Sequence, residues 1–356
     1  METMEVEAVV GASSAVKETV QSPLKSPDTS SRINQNTDEL DATTEPRAQF
    51  KRAEIIEHNS QRFKRTQKIH ALAISVGPLL AFAVMFPLLP VGALELTLFG
   101  VMYYLTMVVG ITVGYHRHFA HRSFQATQPV RVFLAICGCM AMQGSVAYWV
   151  SNHRRHHKYS DEHGDPHSPH VNEDNQQLNG GWLGFWHAHI GWMFKHKLTN
   201  TMVFSRDLVT DPVITKVSRY YFYWVALGLI VPALIGGIVS GTWLGLVSGF
   251  FWGGIFRLLF TFHATSSVNS ITHLFGKRPF PTTDHSTNNG WLAIPSGGET
   301  WHNNHHAFPN SARFGYEWWQ IDLGWHFIRL LEKLGLASNV KCPSKAARDK
   351  KAQQVI

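Results

Sequence analysis

Charged residues vanish from this chain in four long stretches, and those stretches set its architecture. Residues 69–94 contain no Asp, Glu, Lys or Arg, and residues 96–116 contain none either. Each run exceeds the roughly 20 residues that cross a hydrocarbon core. Only Val91 and Gly92 part the first pair, which predicts a tight hairpin. Residues 220–239 and 243–264 repeat the arrangement across Ser240-Gly241-Thr242, with Arg257 the sole charge inside. The pattern predicts an all-α integral membrane fold with four transmembrane helices in two hairpins, spanning about residues 71–90, 93–115, 220–239 and 243–264.

Two other runs are apolar without reading as spans. Residues 132–152 and 178–194 lack charge, but the first contains Gln143-Gly144-Ser145 and the second contains His187, His189 and four glycines. Both are read as interfacial or re-entrant segments. Orientation follows from basic residues. Lys51, Arg52, Arg62, Lys64, Arg65 and Lys68 flank the first span, and neither hairpin turn holds a Lys or Arg. By the positive-inside rule, both termini and the long middle segment are expected on the cytoplasmic side.

Composition agrees with a membrane protein: 44% of the 356 residues are apolar and only 16% charged, against about 25% in soluble domains. Residues 1–50 hold four basic and nine acidic side chains, a net of −5, whereas the rest holds 28 and 16, a net of +12. The Ser-rich start lacks the apolar content to offset ordering entropy. Residues 1–65 are therefore expected to form a disordered polar tail, residues 66–341 the membrane domain, and residues 342–356 a polar C-terminal tail. No signal-peptide run or basic transit segment is seen, so the protein is expected to enter its membrane through its own helices. Three cysteines, two of them in a C-x-C pair, support neither a disulfide framework nor an iron–sulfur pattern.

Histidine carries the chemistry instead. Of 21 histidines, twelve lie between His116 and His196. His116 and His121 form H-x-x-x-x-H, while His153, His156, His157 and His302, His305, His306 form two H-x-x-H-H boxes. On a helix, offsets of three and four residues bracket one stripe, so each H-x-x-H-H should aim three imidazoles at a common point. An offset of five does not share a face on an α-helix, so the first pair suits a helix end or two different metals. Eight imidazoles exceed what one ion accepts, and two ions are implied, of the Fe, Zn or Cu type. Asn269 and His273, one helical turn apart, extend beyond the fourth span to a similar height. His118, His163, His167, His170, His196, His285 and His326 are read as ordinary polar side chains of the fold.

The runs His116-Arg117-His118-Phe119-Ala120-His121, His153-Arg154-Arg155-His156-His157 with Asp165-Pro166-His167, and Glu299-Thr300-Trp301-His302-Asn303-Asn304-His305-His306 resemble the membrane fatty acyl desaturases. The resemblance is closest to the Δ9 (stearoyl/acyl-CoA desaturase-like) branch. Glu317-Trp318-Trp319-Gln320-Ile321-Asp322 and Leu334-Gly335-Leu336-Ala337 look most like its bacterial and plant members. The resemblance covers roughly residues 72–341. It implies four spanning helices under a cytoplasmic helical cap that holds a non-haem di-iron centre (two Fe2+). The ligands would be His116, His121, His153, His156, His157, His273, His302, His305 and His306, with Asn269 acting through a water.

The implied activity is an O2-dependent oxidoreductase of the EC 1.14.19 class that places a cis double bond, Δ9 in this branch, in a saturated acyl chain. Zinc cannot activate O2 for an unactivated methylene pair, so iron is expected. Carboxylates that could orient the rings are Glu299, Asp165, Asp161 and Asp284, by proximity in sequence. Gln143 and Trp149 are placed to line an acyl tunnel, and Lys158, Lys195 and Lys197 to meet the head group of a fatty acyl thioester or acyl lipid. Animal acyl-CoA enzymes carry an arginine two residues before the second box, where this chain has Ser151, so coenzyme A as carrier does not follow. Electrons must come from a separate b-type cytochrome or ferredoxin with its reductase. No nucleic acid partner is indicated. The expected location is the endoplasmic reticulum in a eukaryote or the inner membrane in a bacterium. A membrane di-iron hydroxylase of the alkane, sterol or carotenoid type is the alternative, and a non-catalytic metal-binding membrane protein is a further one.

Overall fold

A computed structural model describes residues 52–57, 60–195 and 197–353. The tail expected for residues 1–65 lies, up to Lys51, outside the described residues. Its boundary moves upstream from 65, because Ile55–Glu57 (β1) pairs antiparallel with Lys197–Thr199 (β3), Ile55 opposite Thr199. Glu54 anchors this start. Its buried carboxylate accepts from Lys158 Nζ at 2.6 Å and from the Tyr159 hydroxyl at 2.6 Å.

Four helices are long and apolar enough to cross a membrane: Lys64–Met85, Ala93–Ala120, Tyr221–Ser240 and Trp243–His273, here spans 1 to 4. Four of the expected boundaries need correction, the first because span 1 begins at Lys64 instead of residue 71. Span 1 stops at Met85 instead of residue 90, because Pro87 and Pro90 cannot continue it, and the connection runs over residues 86–92 instead of two residues. Trp252 ties that loop down by donating to the Pro90 carbonyl at 3.0 Å. Spans 2 and 4 run past residues 115 and 264 without a break, so His116 and His273 sit inside the same helices that carry the apolar runs. Within span 2, residues Tyr104–Ala120 wind as a π-helix.

Spans 3 and 4 pack at backbone distance. A Cβ on Gly236 would fall 2.3 Å from the Gly245 carbonyl, so only glycine permits this approach. Arg257 is buried in span 4 without a carboxylate partner among the described residues. It satisfies its guanidinium with the carbonyls of Met140 at 2.6 Å, Gly228 at 2.7 Å and Gly253 at 3.2 Å, which joins three helices.

Among the shorter helices are α1 (Gln128–Met140), α2 (Val146–Tyr159), α3 (Trp182–His189), α4 (His302–Ala307), α5 (Leu323–Lys333) and α6 (Lys345–Ala352). None approaches the length of a span, in line with an interfacial or re-entrant reading of residues 132–152 and 178–194. A second small ribbon pairs Gln125–Ala126 (β2) with Ala337–Ser338 (β4). The main core lies between span 2, α1 and α2, around Met107, Ile111, Tyr115, Leu134 and Val150. The C-terminal segment expected to be a tail forms α6, docked by Lys351 Nζ on the Ala307 carbonyl at 2.9 Å and by Arg348 over the Tyr316 ring. Residues 354–356 lie outside the described residues.

Candidate metal centre

Four elements deliver imidazoles to one place: the end of span 2, helix α2, the end of span 4, and helix α4. The π winding of span 2 decides the first of them. A π-helix bonds i to i+5, and the His121 amide donates to the His116 carbonyl at 3.1 Å. Residues five apart are thereby brought nearly one above the other. His116 and His121 do share a face, against the expectation for an α-helix, with ring centroids 4.9 Å apart.

Nine histidines gather into two groups. In the first, His116, His121, His153, His157 and His305 place their donor nitrogens within 4.8 Å of one another, and in the second His156, His273, His302 and His306 do so. The expectation that each H-x-x-H-H aims all three rings at one point is corrected here. In both boxes the i and i+4 rings go to one group and the i+3 ring crosses to the other: His153 and His157 leave His156, and His302 and His306 leave His305. At 100° per residue, the third and fourth positions fall on opposite flanks of the stripe. The two boxes are therefore interlocked, each contributing to both groups.

Carboxylates orient four of the rings. Nδ1 of His156 meets Asp165 at 2.9 Å, that of His273 meets Asp161 at 2.7 Å, that of His306 meets Asp284 at 2.6 Å, and that of His116 meets Glu299. All four carboxylates singled out by sequence proximity do this. A carboxylate at Nδ1 fixes the proton there and leaves the Nε2 lone pair pointing inward. The inward Nε2 atoms then crowd together: His121 to His153 at 2.7 Å, His305 to His157 at 2.8 Å and to His116 at 3.0 Å, and His302 to His273 and to His306 at 3.0 Å. Rings braced at Nδ1 have no Nε2 proton to share, as at His116–His305, His273–His302 and His306–His302. Shared cations relieve the lone-pair repulsion, so the donor set fits two transition-metal ions.

Burial keeps these rings neutral. It pushes His121 down to about 3, helped by His306 and Arg154, and drives His153, His157, His302 and His305 well below the ordinary imidazole range, helped by neighbouring imidazoles. Burial alone would raise Asp165, but His156 holds it at about 2. Asp161 and Asp284 are likewise held far below the carboxylate range, by His273 and His306. Glu299 behaves differently. Burial takes it up to about 8 against the opposing Arg117, with Asp322 adding to the rise.

Trp149 lies beside the first group, stacked on His153 with centroids 5.1 Å apart, and Gln143 donates to Thr265 Oγ1 of span 4 at 3.0 Å. Asn269 stands one turn before His273, half-buried. The three lysines expected at a head group each hold a carboxylate: Lys158 with Glu54 at 2.6 Å, Lys195 with Glu173 at 2.7 Å and Lys197 with Asp174 at 2.9 Å.

Of the histidines read as ordinary, His118 meets the Phe124 carbonyl and His170 meets that of His273. His167 is closer to the centre, stacked on His156 and grouped with it and Asp165. His196 lies outside the described residues. Sequence reasoning missed Arg117, which is fully buried and bonds Glu299, Asp322 at 2.9 Å and the Ala312 carbonyl at 2.8 Å. No spacing rule singles out an arginine inside a histidine box. An open cleft of about 700 Å³, walled by His121, His157, His306 and Asp284 with Arg154 and Lys351 at its margin, reaches the edge of the centre.

The chain matches the fatty acid desaturase family over residues 94–336. The Hex-5-enoyl-[acyl-carrier protein] acetylenase of Moorena producens (strain JHB) is 46% identical over 284 residues, which covers 79% of this chain and 88% of that one. The sn-1 stearoyl-lipid 9-desaturase of Anabaena variabilis is 43% identical over 247 residues, 68% of this chain and 83% of the relative. The Icosanoyl-CoA 5-desaturase of Limnanthes douglasii is 40% identical over 248 residues, 68% and 64% respectively.

Proposed function

The chain belongs to the fatty acid desaturase family, and from that premise we propose that it is an O2-dependent desaturase that places a cis double bond, at Δ9, in a saturated fatty acyl chain. The observation that carries the reading is the pair of interlocked histidine groups. In this reading the nine histidines hold two non-haem Fe2+ ions, with Asn269 reaching one of them through a water. Bound there, iron would supply the O2 chemistry that removing two hydrogens from an unactivated methylene pair requires.

The chain's own residues do the rest. Asp161, Asp165, Asp284 and Glu299 hold the Nδ1 protons and so fix which nitrogen each ring presents. Trp149, stacked on His153 and bonded to Gln143, forms a rigid wall against which the acyl chain lies extended. The rings are buried or partly buried, which confines water at the centre to the cleft beside His121, His157 and His306. A separate b-type cytochrome or ferredoxin, itself reduced by a reductase, delivers electrons at the cleft beside His157 and His306. The excess of basic residues after residue 50 favours an acidic donor. Both termini and the histidine centre face the cytoplasm, following the basic residues that flank span 1.

The test is product analysis. The full chain is expressed in a host without its own oxygen-dependent desaturase, saturated fatty acid is supplied, and new double bonds are located by gas chromatography and mass spectrometry. A cis double bond nine carbons from the carboxyl end is expected. Hydroxylated lipid in its place would select the hydroxylase alternative, and a fixed double bond elsewhere would retain the desaturase and remove Δ9.

A further inference from the structure

The geometry points to Arg117 as the positioning residue of the five-histidine group, holding His116 through the Glu299 carboxylate and His305 through the Phe314 ring. This role rests on the two-metal reading above and falls to a side chain that ligates nothing.

Arg117 has a place built for it. It follows His116 in span 2 and is fully buried. The start of α5 passes directly over it: a Cβ on Gly324 would fall 3.0 Å from Arg117 Cζ and 2.6 Å from Thr112 Cγ2, so only glycine lets the helix lie this close. Three further groups close the site. Nη1 donates to the Ala312 carbonyl at 2.8 Å, Nη2 meets Asp322 Oδ1 at 2.9 Å, and the guanidinium carbon lies 4.0 Å from the centroid of the Phe314 ring. A planar cation held at its edge by oxygens and on its face by a ring has one orientation.

Two arms lead from Arg117 to rings that face the metals. In the first, Nε and Nη2 both donate to Glu299 Oε1, at 3.3 Å and 3.2 Å, which leaves Oε2 for His116 Nδ1. The carboxylate is divided, one oxygen to each partner, and the guanidinium fixes its plane. In the second, Asp322 accepts through Oδ2 from the amides of Phe314 at 2.7 Å and Gly315 at 3.2 Å, so the ring lying against Arg117 is fixed at its backbone as well. Phe314 in turn packs on His305 with centroids 4.4 Å apart and lies 5.5 Å from His116. His305 needs that support. Its Nδ1 is buried and has no hydrogen-bond partner among the described residues, so packing sets the tilt of the ring. The arms meet again at the centre, where Nε2 of His116 and Nε2 of His305 are 3.0 Å apart. One arginine thereby orients two donors toward the same ion. In the four-histidine group three rings rest on aspartates of their own, Asp161, Asp165 and Asp284, none of which bonds Arg117.

The test uses the full-length protein in detergent, stripped of metal and titrated with Co2+, whose visible absorption reports the donor set around each ion. Two uptake steps are expected, and Asp284→Asn marks the one that belongs to the four-histidine group. Arg117→Lys keeps the charge between Glu299 and Asp322 but loses the planar fork. It should weaken the other step about 10-fold or more and alter that ion's absorption, with the step marked by Asp284→Asn unchanged. Phe314→Leu, which disturbs no charge and so serves as the second variant, should weaken the same step. Because two arms leave Arg117, Arg117→Lys should weaken that step further when added to Glu299→Gln. Wild-type uptake in either single variant, equal weakening of both steps, or no further loss beyond Glu299→Gln overturns the inference and leaves the two metal sites standing. A wild-type chain that takes up fewer than two ions removes the metal reading and this role with it.

Discussion

The two histidine groups are built from the same helices but are braced differently. In the four-histidine group, three rings of four give Nδ1 to an aspartate: His156, His273 and His306. Among the five rings of the other group, only His116 has such a partner among the described residues, Glu299, and that carboxylate is shared with the buried Arg117. A carboxylate behind an imidazole raises its basicity and fixes its orientation. The four-histidine group is therefore the more rigid and more electron-rich of the two. The five-histidine group relies on the number of its ligands and on the packing of Trp149 and Phe314 against its rings. It is also the group beside Trp149, which the proposed function sets against the acyl chain.

This contrast can be broken at graded cost. The largest effect belongs to the rings that cross between groups. His156→Ala or His305→Ala removes one ligand from one group and loosens the box that serves the other, so product should fall more than about 100-fold, with metal lost from the purified protein as measured by elemental analysis. Next come the braces. Asp284→Asn should weaken metal binding about 10–100-fold in the four-histidine group alone, so that metal content on dilution drops from two ions to one. Glu299→Gln should cost the five-histidine group less, because four of its rings never had a carboxylate.

Acid should act on the metal-free protein in a set direction. Unfolded imidazoles take up protons near pH 6.5, whereas the buried His121, His153, His157, His302 and His305 refuse them until far lower pH. The unfolded state then binds more protons, and stability falls as pH drops below about 6.5, by up to about 1.4 kcal/mol per pH unit for each excluded ring. Thermal unfolding of the apo-protein at pH 7.5 and 5.5 checks the sign. The smallest effect is Lys197→Ala. Its pair with Asp174 is solvent-screened on both sides, the lysine 30% and the aspartate 52% exposed, so stability should change by less than about 1 kcal/mol.

Much of this site could be read from the chain before its structure. The nine histidines follow from box spacing and from the place of His273 beyond an apolar run. The four bracing carboxylates follow from lying within a few residues of a box or between boxes. What spacing could not carry was helix type and helix flank. H-x-x-x-x-H looks like two faces until span 2 is seen to wind as a π-helix over Tyr104–Ala120, and nothing in its side chains announces that winding. The division of each H-x-x-H-H between groups depends on a second helix approaching from the other flank, which is a tertiary fact. The span ends moved for simpler reasons. Proline stops span 1 early, while spans 2 and 4 continue past their apolar runs because their polar ends are buried against α2, α4 and α5. Arg117 stayed unread because an arginine becomes a buried anchor only when Glu299 and Asp322 close over it.

On the proposed function the two histidine groups are separate metal sites. Iron content per chain, measured by elemental analysis with Mössbauer spectroscopy on 57Fe-grown protein, decides it. Two irons per chain in two distinguishable nitrogen-rich environments, falling to one in Asp284→Asn, is the predicted result. A single iron per chain, or two that are lost together when Asp284 is changed, would contradict it.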